Sequence, residues 1–110
     1  MSAINPAKPG ISTRARQHLR SLAHHLEPIV QVGGEGFSDG VCAAIDEALE
    51  RHELVKVRLG QHFPSSRKEA GRELAERLGA DPAQVIGRVL VLYRRRRKDD
   101  PERPRIVLPA

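Results

Sequence analysis

Aromatic residues are scarce in this chain of 110 residues, which has two phenylalanines, one tyrosine and no tryptophan. Modules that stack unpaired bases on a β-sheet need several exposed aromatic rings. The scarcity therefore disfavours RRM, OB-fold and cold-shock modes of recognition. The single cysteine, Cys42, excludes an internal disulfide and is consistent with a reducing compartment, so we expect a cytoplasmic protein.

Long apolar runs are also absent, and no segment reaches the ~20 residues that a membrane-spanning helix needs. Residues 1–10 contain two prolines, one lysine and no apolar block. We therefore interpret residues 1–11 as a flexible N-terminal arm rather than a signal peptide. Residues 12–109 suffice for one domain with a buried core, which we expect to be monomeric and not to associate with membranes.

Motifs for nucleotide and metal chemistry are missing as well. A P-loop ends in Gly-Lys-Ser/Thr, but no lysine lies between Lys8 and Lys56. The dinucleotide fingerprint G-x-G-x-x-G fails because its last position is Asp39. The five histidines do not have the spacing of a metal site, and no Cys-x-x-Cys pair exists. We expect no catalytic residues, no metal and no cofactor, and a nucleotide-binding enzyme is the least favoured alternative.

Charge is distributed unevenly along the chain, whose formal net charge is +5. Residues 1–32 carry four basic groups against one acidic group, and residues 94–110 carry seven against three. Residues 33–53 carry one basic group against six acidic groups. The chain is basic at both ends and acidic across its second helix, so an anionic partner would contact only selected faces.

Apolar periodicity and capping residues predict the element order α-β-α-β-α-β-β. Ser12, Ser38 and Ser66 each precede an apolar helical stripe, as N-caps do, and Gly79 closes the third helix. Strands are predicted over residues 29–32, 54–59, 85–93 and 105–108. The last two would form an antiparallel hairpin, with the basic segment 94–104 as its long loop.

A glycine-rich segment lies between the first strand and the second helix, where Gly33, Gly34 and Gly36 flank Glu35. Glycines let the backbone turn tightly and approach a partner closely. The helix N-terminus that follows offers free N–H groups and partial positive charge. Together these features favour a bound phosphate, either of a nucleotide or of a nucleic acid.

Four blocks of the sequence, in order, resemble the CRM domain family (chloroplast RNA splicing and ribosome maturation) in its single-domain, YhbY-like bacterial form. They are residues 19–36, 45–57, 84–94 and 106–109. The resemblance implies an α/β domain with a mixed four-stranded sheet and three helices, similar to the C-terminal domain of bacterial initiation factor three. It also implies RNA binding, association with precursors of the large ribosomal subunit, and no enzymatic activity.

The family's G-x-x-G loop corresponds to residues 33–36, and its basic first-helix positions correspond to three arginines of this chain. We predict that RNA contacts Gly33, Gly34, Glu35, Gly36, Arg14, Arg16, Arg20, His24, Arg94, Arg95, Arg96 and Arg97. Two departures stand out: the acidic residue at position 35 would repel phosphate, and segment 94–104 is longer and more basic than the usual turn. That segment is either a solvated hairpin tip or an arm that follows RNA backbone.

The acidic outer face of the second helix supports an alternative function. Asp46, Glu47 and Glu50 would bind a basic ribosomal protein, and RNA contact would be incidental. The arginines and His24 of the first helix have a comparable alternative, because a charged helix face is most often simply solvated.

Overall fold

A computed structural model describes residues 11–109, so most of the predicted N-terminal arm lies outside the described residues. Three helices and four strands follow one another in the predicted order. They are α1 (Thr13–Ala23), β1 (Pro28–Val32), α2 (Asp39–His52), β2 (Leu54–Leu59), α3 (Arg67–Leu78), β3 (Asp81–Ile86) and β4 (Val89–Tyr93).

Serine N-caps begin all three helices, as the sequence predicts. The hydroxyls of Ser12, Ser38 and Ser66 accept hydrogen bonds from backbone N–H groups three residues later, at 3.0, 3.2 and 3.1 Å. Each cap satisfies one of the N–H groups that a helix start leaves unpaired. The C-cap of α3 is Gly79, with φ +67°, whereas the C-cap of α2 is Glu53, a non-glycine residue with φ +64°.

The four strands form one mixed sheet in the order β1-β2-β4-β3, which confirms the predicted fold class. β1 and β2 are parallel, and Val32 pairs with Leu59. β4 is antiparallel to both β2 and β3. The carboxyl ends of β1 and β2 therefore meet the β3–β4 turn at one edge of the sheet.

Helices cover both faces of the sheet and create two cores. α2 and α3 pack on one face, where Ile45, Leu49 and Leu74 meet Val57 and Leu90. α1 packs on the other face, in a smaller core formed by Leu19, Ala23, Leu54, Ala83, Val91 and Tyr93. Because α1 is a single helix, it leaves part of its face of the sheet exposed.

The final hairpin differs from the sequence prediction. The run 85–93 is not one strand: Gly87, with φ +55°, and Arg88 form a two-residue turn inside it. Residues 105–108 form no strand, so segment 94–104 does not connect two strands. The physical reason is that β4 lies between β2 and β3 and has no free edge left to pair.

Candidate functional site

The glycine-rich segment lies at the sheet edge where β1 and β2 end. Residues 33–36 form a tight turn in which the N–H of Gly36 donates to the carbonyl of Gly33 over 3.1 Å. Gly36 has φ +71°, a conformation that favours glycine. Gly33, Gly34 and Glu35 are exposed, whereas Gly36 is buried. The turn therefore presents backbone and one carboxylate to solvent.

Two further segments share this edge with the turn. Gly60, directly after β2, donates its N–H to the carbonyl of Val32 over 2.7 Å. Its neighbour across the sheet is the β3–β4 turn, because Arg88 Nη1 donates to the Gly60 carbonyl over 3.2 Å. Arg67, the first residue of α3, donates to the carbonyl of Gly87 over 2.7 Å. We call residues 33–36, 60–67 and 87–88 together the loop edge.

The first helix brings only some of its predicted basic residues to the surface. Arg14, Arg20 and His24 are exposed, and no acidic partner contacts Arg14 or Arg20 within residues 11–109. Arg16 is different, because its Nη1 donates to Asp81 Oδ1 over 3.2 Å and to the carbonyl of Pro82 over 3.1 Å. Its guanidinium ties α1 to β3 and is only partly available to a ligand.

Two basic residues of β2 extend the exposed charge of α1 toward the loop edge. Strand alternation places Lys56 and Arg58 on the face of the sheet that α1 covers in part. Arg58 is exposed and pairs in register with Gln31, two residues before the glycine turn. We call Arg20, Lys56 and Arg58 the basic row. Sequence reasoning missed its two strand members as site residues, although the alternating pattern placed both on the polar side of the strand.

A groove of about 500 Å³ lies between α1 and the exposed part of the sheet. Arg20 of α1 and His24 at its C-cap line one side, and Lys56, Gln84 and Ile86 line the other from the strands. None of the described residues that line it is acidic. The groove therefore suits an anionic ligand with a polar and an apolar part.

The arginine run after β4 folds back onto α2 instead of extending into solvent. Arg94 donates from Nη1 to Asp46 Oδ1 over 2.6 Å and to the carbonyl of Leu78 over 3.0 Å. Arg97 donates to Glu50 Oε1 over 3.1 Å and to Asp46 Oδ2 over 3.2 Å. The acidic outer face of α2 is therefore largely neutralised by the chain's own arginines, and a basic partner would have to displace them.

Arg96 is buried in this contact and caps the end of α2. Its guanidinium donates to the carbonyls of Glu50 over 2.8 Å and Arg51 over 2.7 Å, and also contacts the carbonyl of Arg103. A guanidinium on the last carbonyls of a helix satisfies acceptors that the helix leaves unpaired. Within residues 94–97 only Arg95 is exposed and makes no hydrogen bond or ion pair with another described residue.

Glu53 holds both ends of the segment 96–106 by hydrogen bonds. This residue is fully buried, and its carboxylate accepts the N–H of Arg96 over 2.6 Å and the N–H of Ile106 over 2.7 Å. Ile106 and Leu108 then pack against the smaller core beside α1. We call residues 94–108 the C-terminal clasp, since they contact both layers of the domain.

Ion pairing in the clasp changes the acidity of two carboxyls. The hydrogen bond from Arg94 lowers the pKa of Asp46. Burial opposes ionisation of Glu50, but the N–H groups of Lys98 and Arg97 and the Arg97 guanidinium outweigh it, so the pKa of Glu50 is also lowered. Both carboxylates stay charged, which keeps the clasp paired at neutral pH.

The structure therefore separates the predicted site residues into two groups. The glycine turn, Arg20 and His24 lie on or beside the loop edge and the basic row, with Arg14 further along α1. Residues 94–97 lie in the clasp, where Arg95 is exposed, and Arg16 is held against β3 by Asp81 and Pro82. Cys42 is buried in the larger core, where burial raises the pKa of its thiol. In residues 11–109 no cluster of His, Cys, Asp and Glu is arranged to hold a metal, and no helix is long and apolar enough to cross a membrane.

Comparison with known proteins assigns the fold to a family. The sequence model of the CRS1/YhbY (CRM) domain matches residues 11–94. This chain belongs to the CRM domain family. It is 40% identical over 84 residues to an RNA-binding protein of Haemophilus influenzae, a match that covers 76% of this chain and 85% of that protein. Most of the clasp lies beyond the matched CRM region.

Two other relatives extend the CRM assignment over most of the chain. The probable RNA-binding protein YqeI of Bacillus subtilis is 36% identical over 99 residues, which cover 90% of this chain and 99% of YqeI. The solution structure of the hypothetical protein SAV1595 from Staphylococcus aureus superimposes with a TM-score of 0.73 at 36% identity, covering 91% of this chain and all of that one. The four-stranded sheet with three helices is thus shared with a solved structure.

Proposed function

We propose that this protein binds RNA through the loop edge, the basic row and Arg14 of α1, without catalysing a reaction. The observation that carries the proposal is the basic row, whose arginines have no acidic partner within residues 11–109 and which leads to the glycine turn. Relatives of the CRM family that carry the name RNA-binding protein support the same ligand.

Contacts of this kind act mainly on phosphate groups. Exposed arginines and lysines release counterions when they bind the RNA backbone, and backbone N–H groups of a tight turn can approach phosphate oxygens. Such contacts position the protein but carry little sequence information. The affinity should therefore fall steeply as salt concentration rises.

We further propose that the RNA belongs to precursors of the large ribosomal subunit. The protein would act in assembly of that subunit in the cytoplasm, next to ribosomal proteins. Sedimentation of a cell extract tests this part. We expect the protein to migrate with large-subunit precursors and to crosslink to their RNA. Migration only at the top of the gradient at low salt would contradict a role in assembly while leaving RNA binding untouched.

A charge at Gly33 tests the loop edge directly. A Cβ added at this position meets no atom within 4 Å, and the backbone is not in the left-handed region, so the fold accepts a side chain there. Gly33→Asp should weaken binding of a structured RNA by about tenfold through repulsion of phosphate. Gly33→Asn has nearly the same shape and should bind like the unmodified protein.

The pair of variants isolates charge from shape. Gly36 is a poorer position for this test, since its φ of +71° would add backbone strain to any substitution. Equal dissociation constants for the Asp and Asn variants, measured by fluorescence anisotropy with labelled RNA, would exclude the glycine turn from the interface.

A further inference from the structure

The groove between α1 and the sheet combines features that backbone binding does not require. We infer that it binds one unpaired nucleotide of the RNA, with the phosphate at Arg20 and Lys56 and the base against Gln84 and Ile86. The inference rests on the proposed RNA binding and adds to it a site where a base is read.

The two basic side chains of the groove are free to bind a phosphate. Arg20 is exposed and has no acidic partner within residues 11–109, so its guanidinium is available. Lys56 Nζ donates to the carbonyl of Leu26 over 3.0 Å. This bond holds the ammonium at the groove and leaves its other two N–H groups for a ligand.

Amide groups give the groove a means of recognising a base edge. Gln17 of α1 and Gln84 of β3 both line it, and neither side-chain amide has a partner within residues 11–109. Each amide offers a donor and an acceptor side by side, as the edges of nucleobases do. A phosphate alone would not use the acceptor oxygen of either side chain.

The remaining wall suits the flat face of a base. Ile86 is 51% exposed and lies on the face of the sheet that lines the groove, so its side chain offers an apolar surface there. The rings of His24 and His25 lie 5.2 Å apart beside it, and an imidazole can stack on a base. The three Phe and Tyr rings do not compete for this role: Phe37 and Tyr93 are buried, and Phe63 packs against Phe37.

Nuclear magnetic resonance of the full chain tests the groove with small probes. The four glutamines, residues 17, 31, 61 and 84, give side-chain amide signals that report on different surfaces. We expect AMP to shift the signals of Gln17 and Gln84 and to leave that of Gln31 in place. Ribose 5-phosphate and inorganic phosphate should shift neither groove glutamine. Identical shifts with AMP and with ribose 5-phosphate would overturn the inference, as would no shift with AMP or any other nucleoside monophosphate.

A pair of RNA hairpins separates this inference from the proposed function. One hairpin is fully paired and the other carries a single bulged nucleotide. The unmodified protein should bind the bulged hairpin about fivefold more tightly, and Gln84→Ala should remove that preference without weakening the paired complex. Gln31→Ala, an exposed position of β1 that lies outside both the groove and the loop edge, is the matched control and should retain the preference.

The outcomes have distinct meanings. Equal affinity of the unmodified protein for both hairpins, or a preference that survives Gln84→Ala, would refute the nucleotide site while RNA binding stands. Failure of the unmodified protein to bind either hairpin at low salt would refute the proposed function together with the inference.

Discussion

The exposed arginines of α1 and most arginines of the clasp differ in whether the folded protein already pairs them with carboxylates. On α1, Arg14 and Arg20 are exposed and have no acidic partner within residues 11–109. In the clasp, Arg94 and Arg97 bind Asp46 and Glu50 of α2. The number of arginines in a segment therefore says little about its availability to a polyanion. An arginine is available to a polyanion only when no carboxylate or carbonyl of the folded protein already binds its guanidinium.

The difference in pairing also means that RNA binding would cost more free energy at the clasp than at the basic row. A ligand that binds the basic row gains charge neutralisation without breaking an ion pair. A ligand that binds Arg94 or Arg97 must first break the ion pairs of that arginine with Asp46 and Glu50 of α2. We therefore expect α1 to control RNA affinity and the clasp to control stability.

The largest effect should follow from loss of the buried carboxylate that holds the clasp. Glu53→Ala leaves the N–H groups of Arg96 and Ile106 without their acceptor, each at a cost of about 1–3 kcal/mol. We expect the free energy of unfolding to fall by about 3 kcal/mol in urea denaturation followed by circular dichroism.

The matched control for this variant is Glu47→Ala on the same region of α2. Glu47 is exposed and has no ion-pair partner within residues 11–109, so its removal should change stability by less than about 0.5 kcal/mol. If the two variants unfolded at the same urea concentration, the clasp would not stabilise the domain, and its arginines would return as candidates for RNA contact.

An intermediate effect should separate the two regions by RNA affinity. One double variant, Arg14→Gln with Arg20→Gln, removes two exposed charges from α1. The other, Arg97→Gln with Arg103→Gln, removes two charges from the clasp, where each of these arginines forms an ion pair. We expect the α1 variant to bind RNA about tenfold more weakly and to have a shallower salt dependence, by about 0.7–0.9 per lost phosphate contact.

The clasp variant has the same net charge as the α1 variant, so it controls for nonspecific attraction. Its affinity and salt slope should match those of the unmodified protein. An equal loss in both variants, measured across a salt series, would show that net charge rather than the position of the arginines governs binding.

The sequence predicted the elements well wherever the signal was local. Ser12, Ser38 and Ser66 mark the helix starts, because an N-cap is defined by a side chain and a backbone group only three residues apart. The last hairpin was misplaced because residues 85–93 form an almost continuous apolar run. Gly87 was the available signal for a turn, and Pro82 obscured β3, although proline is tolerated in an edge strand such as this one.

The clasp was beyond sequence reasoning for a different reason. Arg94 and Asp46 are 48 positions apart, and their contact depends on how α2 and β4 pack against each other. The opposite charges of the two segments were visible, but their proximity was not. The same limit applies to the groove, where residues from α1, β2 and β3 meet only after the sheet has formed.

The smallest effect concerns the pH dependence of the clasp. The pKa values of Asp46 and Glu50 are lowered in the folded protein, so both carboxyls bind protons more readily in the unfolded chain. Their contribution to stability is fully present above the ordinary pKa of about 4 and is lost as the pH falls below it. Because the pairs that Asp46 and Glu50 form with Arg97 are largely solvent-exposed, that contribution should be small. The double variant Asp46→Asn with Glu50→Gln lacks it at every pH. We therefore expect urea denaturation at pH 7 to show a higher free energy of unfolding for the unmodified protein than for the variant. At pH 3 the two free energies should lie closer together. A difference that is the same at both pH values would mean that the clasp is held by Glu53 and packing alone.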